Sequence, residues 1–241
     1  SLGGWTEARH GRDFVEQVMH ALAARRKPER QRDVDRSGGA GGGRGRSASA
    51  VGYALGHAGS ALRGRGGRSV NSAHHSAGDT SAQLPIASCP CDDRNLHFHV
   101  ERDAKDDFAR QVFEVLRAGD AVTVFGPWGD FVLRADSPRP ILFVASEAGF
   151  APVKGLIEHA LSLDRAELLH LYWHTQRPAG HYLANLCRSW AGALDNFRYT
   201  AVAEGAANDL VAGMAKDHAD LAGFDIYLAG PEAFVDGAGK A

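Results

Sequence analysis

Residues 140–152, Pro-Ile-Leu-Phe-Val-Ala-Ser-Glu-Ala-Gly-Phe-Ala-Pro, constrain the fold of this 241-residue chain more than any other stretch. Ile141 to Ala145 are apolar or small, with the length and β-branching of a buried strand. A short turn through Gly149 follows. Pro152 then opens a run in which Val153, Leu156, Ile157, Ala160 and Leu161 recur at a period of 3.6, the apolar face of a helix. Proline suits a first helical turn because its missing N–H had no partner there. Strand, turn and helix in that order leave unpaired amides at the turn, a place where the phosphates of a dinucleotide are commonly held.

The pattern repeats downstream. Strands are expected at 141–145, 168–173, 197–202 and 225–229, with helices near 152–163, 179–190 and 206–219. This alternation predicts an α/β domain with a parallel sheet covered on both faces. Upstream the rhythm differs. Strands are expected at 84–88, 96–102, 121–125 and 131–134, with a helix over 107–117, which predicts an antiparallel unit over 83–136 ahead of the α/β unit over 137–241.

The first 80 residues have another composition. They hold 13 Lys/Arg against 7 Asp/Glu, whereas residues 81–241 hold 14 against 22, so a basic segment precedes an acidic one. Over 12–26, Phe14, Val18 and Leu22 with Val15 and Met19 predict an amphipathic helix within residues 1–36. Over 37–82, glycine is interleaved with Arg, Ser and Ala, and large apolar residues are few. Ordering each residue costs about 1–2 kcal/mol of backbone entropy, so disorder is expected there. Three cysteines (Cys89, Cys91, Cys187) form no even framework, which points to a reducing, cytoplasmic location. They also cannot hold a four-cysteine iron–sulfur cluster. No stretch approaches a membrane span.

Five blocks in order, Ile86-Ala-Ser88, Gly126-Pro-Trp-Gly-Asp-Phe-Val-Leu-Arg134, Gly149-Phe-Ala-Pro152, Leu171-Tyr-Trp173 and Tyr227-Leu-Ala-Gly-Pro231, resemble the ferredoxin-NADP reductase superfamily. The resemblance is to its NAD(P)H-flavin reductase and CDP-6-deoxyglucoseen reductase-like branch, and covers about 83–241. It implies a flavin-binding antiparallel barrel, an NAD(P)-binding α/β domain, NAD(P)H and FAD as cofactors, and electrons passed to a separate acceptor protein or small molecule. It places Ser146, Gly149, Phe150, Ala151, Pro152, Gln176, Gly230 and Pro231 on the pyridine nucleotide, and Ile86, Ala87 and Ser88 on the flavin. Thr175 or Arg177 would meet a 2′-phosphate. No catalytic residue is assigned; His99 and Glu232 are the available proton donors.

The chain departs from the family on the flavin side. The signature Arg-x-Tyr-Ser before Ile-Ala-Ser aligns with Ala82, Gln83, Leu84 and Pro85, so charge, ring face and hydroxyl are missing. A second phosphate loop would fall near Lys105–Ala109, which has neither glycine nor hydroxyl. The barrel also needs about three strands upstream, which residues 37–80 are not expected to supply, leaving it incomplete, and the family's last strand and terminal aromatic would lie past Ala241. These departures argue against tight FAD binding. They also define the alternative: a non-catalytic, truncated or frame-disrupted remnant with weak nucleotide binding, its reading frame lost upstream of about residue 83.

Two other motifs carry less. Cys89-x-Cys91 with His97-x-His99 offers four ligand types, but the spacing matches no zinc module and no metal is expected. Arg44-Gly-Arg46 and Arg63-Gly-Arg-Gly-Gly-Arg68 resemble segments that grip nucleic-acid backbones. Stacking aromatics are nearly absent around them, so a basic spacer is expected and nucleic acid is not expected as a partner.

Overall fold

The computed structural model describes residues 2–9, 14–21, 52–55, 73–75, 80–92, 95–118, 120, 122–124, 129, 131–134, 136–164, 166–203 and 207–240, the first four ranges as backbone only. The strands are β1 (Leu2–Arg9), β2 (Phe14–Ala21), β3 (Gly52–Leu55), β4 (Ala73–His75), β5 (Ser81–Ala82), β6 (Asn95–Glu101), β7 (Val122–Val124), β8 (Ile141–Ser146), β9 (Leu169–His174), β10 (Phe197–Val202) and β11 (Asp225–Gly230). The α-helices are α1 (Asp107–Arg110), α2 (Phe150–Leu163), α3 (Ala184–Ala193), α4 (Ala207–Asp217) and α5 (Glu232–Lys240).

The α/β unit is as its sequence predicts. Its sheet runs β10-β9-β8-β11-β3, and every pairing in it is parallel. All six residues of β8 and all six of β9 are buried, which is why β8 reads as an unbroken apolar run; β9 instead alternates, with His170, Tyr172 and His174 on one face. Odd positions of β8 and β9 (Phe143, Ala145, Leu171, Trp173) pack with Val153, Ile157 and Cys187 of α2 and α3. Even positions (Leu142, Val144, Tyr172) pack with Leu210, Met214 and Val235 of α4 and α5. The result is three layers, helix, sheet and helix. Burying an Ile such as Ile157 completely contributes about 1.5–3 kcal/mol. Helix α2 ends at Asp164, whose φ of 48° is left-handed and stops the helix.

The antiparallel sheet runs β5-β4-β7-β1-β2-β6, open at both ends among the described residues. Its core is Leu84, Phe98, Val100, Phe108, Val112, Leu116 and Val122. Two of its strands correct the sequence reading. The helix expected over 12–26 is strand β2, paired along its length with β1 on one side and β6 on the other. A short run with Val15, Val18 and Met19 satisfies either period, and two paired neighbours outweigh a lone helix. Within 37–82, β3 joins the parallel sheet beside β11, and β4 joins the antiparallel one. The last residues of that stretch, Ser81 and Ala82, form β5 beside β4, while the Arg/Gly motifs lie outside the described residues, as do Gly126–Trp128.

Three smaller differences follow from local chemistry. The strand expected at 84–88 is a single bridge, Ile86 to Phe98, next to a proline that has no N–H to give. The helix expected over 107–117 is one α turn followed by a wider π-type turn, Gln111–Val115. Residues 131–134 form no ladder. Phe131 is buried in the α/β core instead, the Arg134 amide donates to Tyr227 Oη (2.8 Å), and its guanidinium pairs with Asp225 (3.1 Å).

Candidate nucleotide site

Chain direction places the site. After β8 the chain crosses to β9 on one side, and after β10 it returns to β11 on the other. The carboxyl ends of β8 and β11 therefore flank the topological switch point, where open α/β sheets leave a crevice for ligands. Ser146 and Gly149 lie on the β8 side of that point, and Gly230 and Pro231 on the β11 side.

The two turns are in contact. A Cβ on Gly149 would lie 2.3 Å from the Ala229 carbonyl oxygen and 2.6 Å from the Gly230 nitrogen, and a Cβ on Gly230 would lie 2.8 Å from Ser146 Cβ. Only glycine permits that approach. Ser146 is buried and hydrogen-bonded to His174 Nδ1 (3.1 Å), and the His174 ring stacks on Phe234 of α5. Gly149, Phe150, Ala151 and Pro152 are also buried. They form the floor of the turn, and their polar contribution is main chain. Gln176 is exposed and Pro231 half-buried at its rim.

Phe150 stacks face to face on Trp173, with centroids 3.8 Å apart and planes at 14°. Tyr182 meets both rings edge-on, and its hydroxyl bonds His99 Nδ1 (2.7 Å) across the seam to the antiparallel sheet. Trp173 donates Nε1–H to the Glu147 carbonyl (3.2 Å). His181 bonds the Trp173 carbonyl, and burial lowers its pKa. This aromatic wedge sets the angle at which α2 leaves the turn.

Glu147 has a positive φ, 52°. Its carboxylate accepts from Thr175 Oγ1 (3.0 Å), the Gln176 amide (2.7 Å) and Arg177 Nε (2.9 Å). Arg177 also pairs with Glu101 of β6. The negative charge that would oppose phosphates is thus turned toward the β9 loop and balanced there. Thr175 and Arg177, expected near a 2′-phosphate, are both bound to Glu147.

The two helix starts differ. Glycine caps α2, with no side-chain hydrogen bond to its first amides; the Phe150 amide donates back to the preceding turn and Pro152 has no N–H, which leaves Ala151 as the first α2 amide not so engaged. At α1, where the second phosphate loop was expected, Asp106 Oδ1 accepts from the amides of Phe108 (2.8 Å) and Ala109 (3.3 Å). A carboxylate already holds the place of a phosphate.

On the flavin side, Ile86, Ala87 and Ser88 pack on α2. The Ala87 amide donates to His97 O (2.8 Å), and its carbonyl accepts from Lys154 Nζ (3.1 Å). Ser88 Oγ accepts from the His97 amide (3.2 Å), and Gly155 leaves room for the Ser88 carbonyl. Lys154 is buried and paired with Glu158 (2.7 Å). These groups hold the seam together, and Leu84 of the missing signature is core. The residues present do not fit a tightly held flavin.

His99 is buried against Tyr182 and Phe150, while Glu232 is exposed in the first turn of α5. Cys89 and Cys91 come together with His159 of α2 rather than with His97 and His99. The sequence reading flagged Glu147 only as a charge that must point away from phosphates, and missed His174 and His159 as partners. The alternation His170, Tyr172, His174 in β9 marks one polar face of a buried strand and was the available signal for His174. Nothing in spacing signals His159.

The oxidoreductase NAD-binding domain family matches residues 143–240. A CDP-6-deoxy-L-threo-D-glycero-4-hexulose-3-dehydrase reductase from Yersinia pestis is 30% identical over 161 residues, covering 64% of this chain and 48% of its own. An NAD(P)H-flavin reductase from Vibrio harveyi is 25% identical, covering 60% of this chain and 66% of its own. In fold, the chain is similar to a cytochrome P450 reductase from Amycolatopsis, with TM-score 0.70, 19% identity, and 100% of this chain against 64% of that one. It is also similar to a ferredoxin NADP+ reductase from Neisseria gonorrhoeae with bound FAD and NADP (TM-score 0.66, 12% identity, 100% against 89%). These matches define an NAD-binding α/β domain behind an antiparallel sheet. Residues 143–240 belong to the oxidoreductase NAD-binding domain family, and the chain is similar to NAD(P)H-flavin reductases of the ferredoxin-NADP reductase superfamily. It spans about half the length of the first curated relatives it matches. Among the described residues, no helix is long and apolar enough to cross a membrane.

Proposed function

We propose that the chain takes a hydride from NAD(P)H to a flavin and passes electrons on to a separate acceptor. One observation carries the nucleotide half: the Gly149 and Gly230 turns meet at the switch point, beside a helix start that no side chain caps. In this reading the pyrophosphate sits over the Gly149 turn at the positive end of α2, with the Ala151 amide toward it. The rim at Gly230 and Pro231 shapes the nicotinamide side, Gln176 faces the adenosine side, and the Phe150–Trp173 stack keeps the turn rigid. The pyridine nucleotide supplies the hydride; the protein supplies orientation and exclusion of water.

For the flavin, the occupied groups of Ala87 and Ser88 and the capped start of α1 favour an exchangeable molecule over a resident cofactor. Ile86 to Ser88 would line its approach. A reductase from Vibrio harveyi whose name specifies NAD(P)H and flavin is among the relatives. The rival reading, a nucleotide-binding remnant without flavin chemistry, is favoured by the same missing signature at Ala82–Pro85.

Calorimetric titration with NADH and NADPH, followed by nucleotide oxidation with riboflavin, FMN or FAD added, separates these readings. Binding with flavin-dependent oxidation is the expected result. Binding without oxidation establishes the remnant, and flat titrations with both nucleotides overturn the site.

A further inference from the structure

We propose that Cys89, Cys91 and His159 form a thiolate–imidazole site for a zinc-like divalent cation when the cysteines are reduced. Their ligand atoms all lie within 4.8 Å of one another, and they come from two elements that the seam brings together. This site is separate from the nucleotide turn and stands or falls independently of it.

Cys89 and Cys91 are joined as a disulfide in the structure. That link closes a loop of one intervening residue, Pro90. A cross-link restrains the unfolded chain in proportion to the logarithm of its loop length, so this one staples nothing distant. The pair is better placed for chemistry. Cys89 is buried, Cys91 is exposed and His159 is half-buried, so one side of the cluster is open to an entering ion. The third cysteine, Cys187, is buried in the α/β core, and burial raises its pKa to about 12.

The geometry fits one tetrahedral ion. Zn–S bonds of about 2.3 Å and Zn–N bonds of about 2.05 Å place S and N about 3.6 Å apart. Cys89 Sγ and His159 Nδ1 are 3.7 Å apart. Rotating the Cys91 side chain moves its sulfur onto the same ion once the bond between the sulfurs is reduced. Ser162 Oγ, 3.9 Å from Cys89 Sγ and 3.7 Å from Cys91 Sγ, marks the fourth, solvent-facing position.

The surroundings favour a thiolate. The Cys91 amide donates to Cys89 Sγ (3.2 Å), a contact that stabilises the charged sulfur. The Cys89 amide is held by Glu158 Oε2 (3.1 Å), and the other oxygen of that carboxylate is neutralised by Lys154. The residue supplying the first ligand is thereby fixed to the helix supplying the third, the kind of outer support that metal ligands require.

The chemistry balances simply. A dithiol reductant gives two electrons and two protons to the Cys89–Cys91 disulfide and leaves as a cyclic disulfide. The two thiols then release two protons as they bind the dication, and the bound site is neutral. Oxidation by a low-molecular-weight disulfide reverses the sequence and expels the ion, so occupancy reports thiol redox state.

The test is anaerobic titration of the reduced full-length chain with Co(II), then displacement with Zn(II). One equivalent with thiolate-to-cobalt charge-transfer absorption is expected, abolished by prior oxidation. His159→Ala should weaken binding by at least the roughly 10–100-fold that even outer partners are worth. Cys91→Ser should remove about half of the charge-transfer intensity, and Cys187→Ser should change neither. Nucleotide titration and circular dichroism report that the variants are folded, with His159→Gln used if His159→Ala is not. No charge-transfer band, binding unchanged in both His159 variants, or a pair that stays oxidised under native reduction each overturns the proposal.

Discussion

Gly149 and Ala229 stand so close that a methyl group on the glycine would lie 2.3 Å from the Ala229 carbonyl oxygen. The obstacle is backbone at the end of a central strand, which cannot yield as a flexible side chain would. Gly149→Ala is expected to cost about 2–3 kcal/mol of stability through overpacking. It should also abolish nucleotide binding, because the two turns must part. Gly213 of α4, by contrast, has open space around its Cβ position. Gly213→Ala should stabilise by about 0.5–1 kcal/mol through helix propensity. Chemical denaturation of the two variants checks both signs.

Arg177 carries one positive charge between two carboxylates, Glu147 and Glu101. A 2′-phosphate arriving at this loop meets no net attraction, so NADH should bind at least as well as NADPH. Glu147→Gln removes one of the counter-charges on Arg177. It is expected to raise NADPH affinity about 3- to 10-fold, the 0.7–1.4 kcal/mol of one partly exposed charge, with little change for NADH. Parallel calorimetric titrations at low and high salt measure it, and the gain should shrink with salt.

Lys154 is 3% exposed, its ammonium lodged between the Ala87 carbonyl and Glu158. Removing the carboxylate deprives this buried charge of its Glu158 counter-ion. Glu158→Gln should therefore destabilise by about 2–3 kcal/mol, less than for a fully buried pair because Glu158 is 29% exposed. Lys154→Met, of similar volume, should cost under about 1.5 kcal/mol, and the double variant should recover most of the loss in a double-mutant cycle.

The α/β unit was legible because β8 and β9 are buried on both faces. In β8 burial forces an unbroken apolar run, in β9 Leu169, Leu171 and Trp173 keep one face apolar, and the helices bury one face at a clear period. The antiparallel unit was less so. Val15, Val18 and Met19 suit a helix until β1 and β6 are known to lie on either side. Phe131 and Arg134 read as a strand but serve the other domain, one as core and one as an anchor on Asp225. The two glycine turns were visible as Gly149 and Gly230, yet what holds them was not. Glu147 with Arg177, Ser146 with His174 and Cys89 with His159 are contacts between residues 28 to 70 apart, and local pattern does not encode such distances.

His170 and His218 share a hydrogen bond (2.9 Å) on the face of β9 away from α2, with His170 Nε2 on Thr200 Oγ1 (2.8 Å) and Tyr172 donating to Asp217 (2.9 Å). Burial, and then the neighbouring His218, push the His170 pKa from 6.5 down to about 4, and burial lowers that of His218 too. The nearby charges oppose one another: Asp217 favours a proton on either ring, and Arg198 disfavours it. Because the folded pKa lies below the unfolded one, the unfolded chain binds more protons between them. Stability is full above about pH 6.5, falls as pH drops through that window, and stops falling from this source below about pH 4. A shift of this size limits the loss from His170 to about 3 kcal/mol. His170→Gln should flatten the pH dependence of urea unfolding between pH 4 and 6.5 while costing some stability at pH 7. An unchanged slope in that variant would assign the acid sensitivity to other groups.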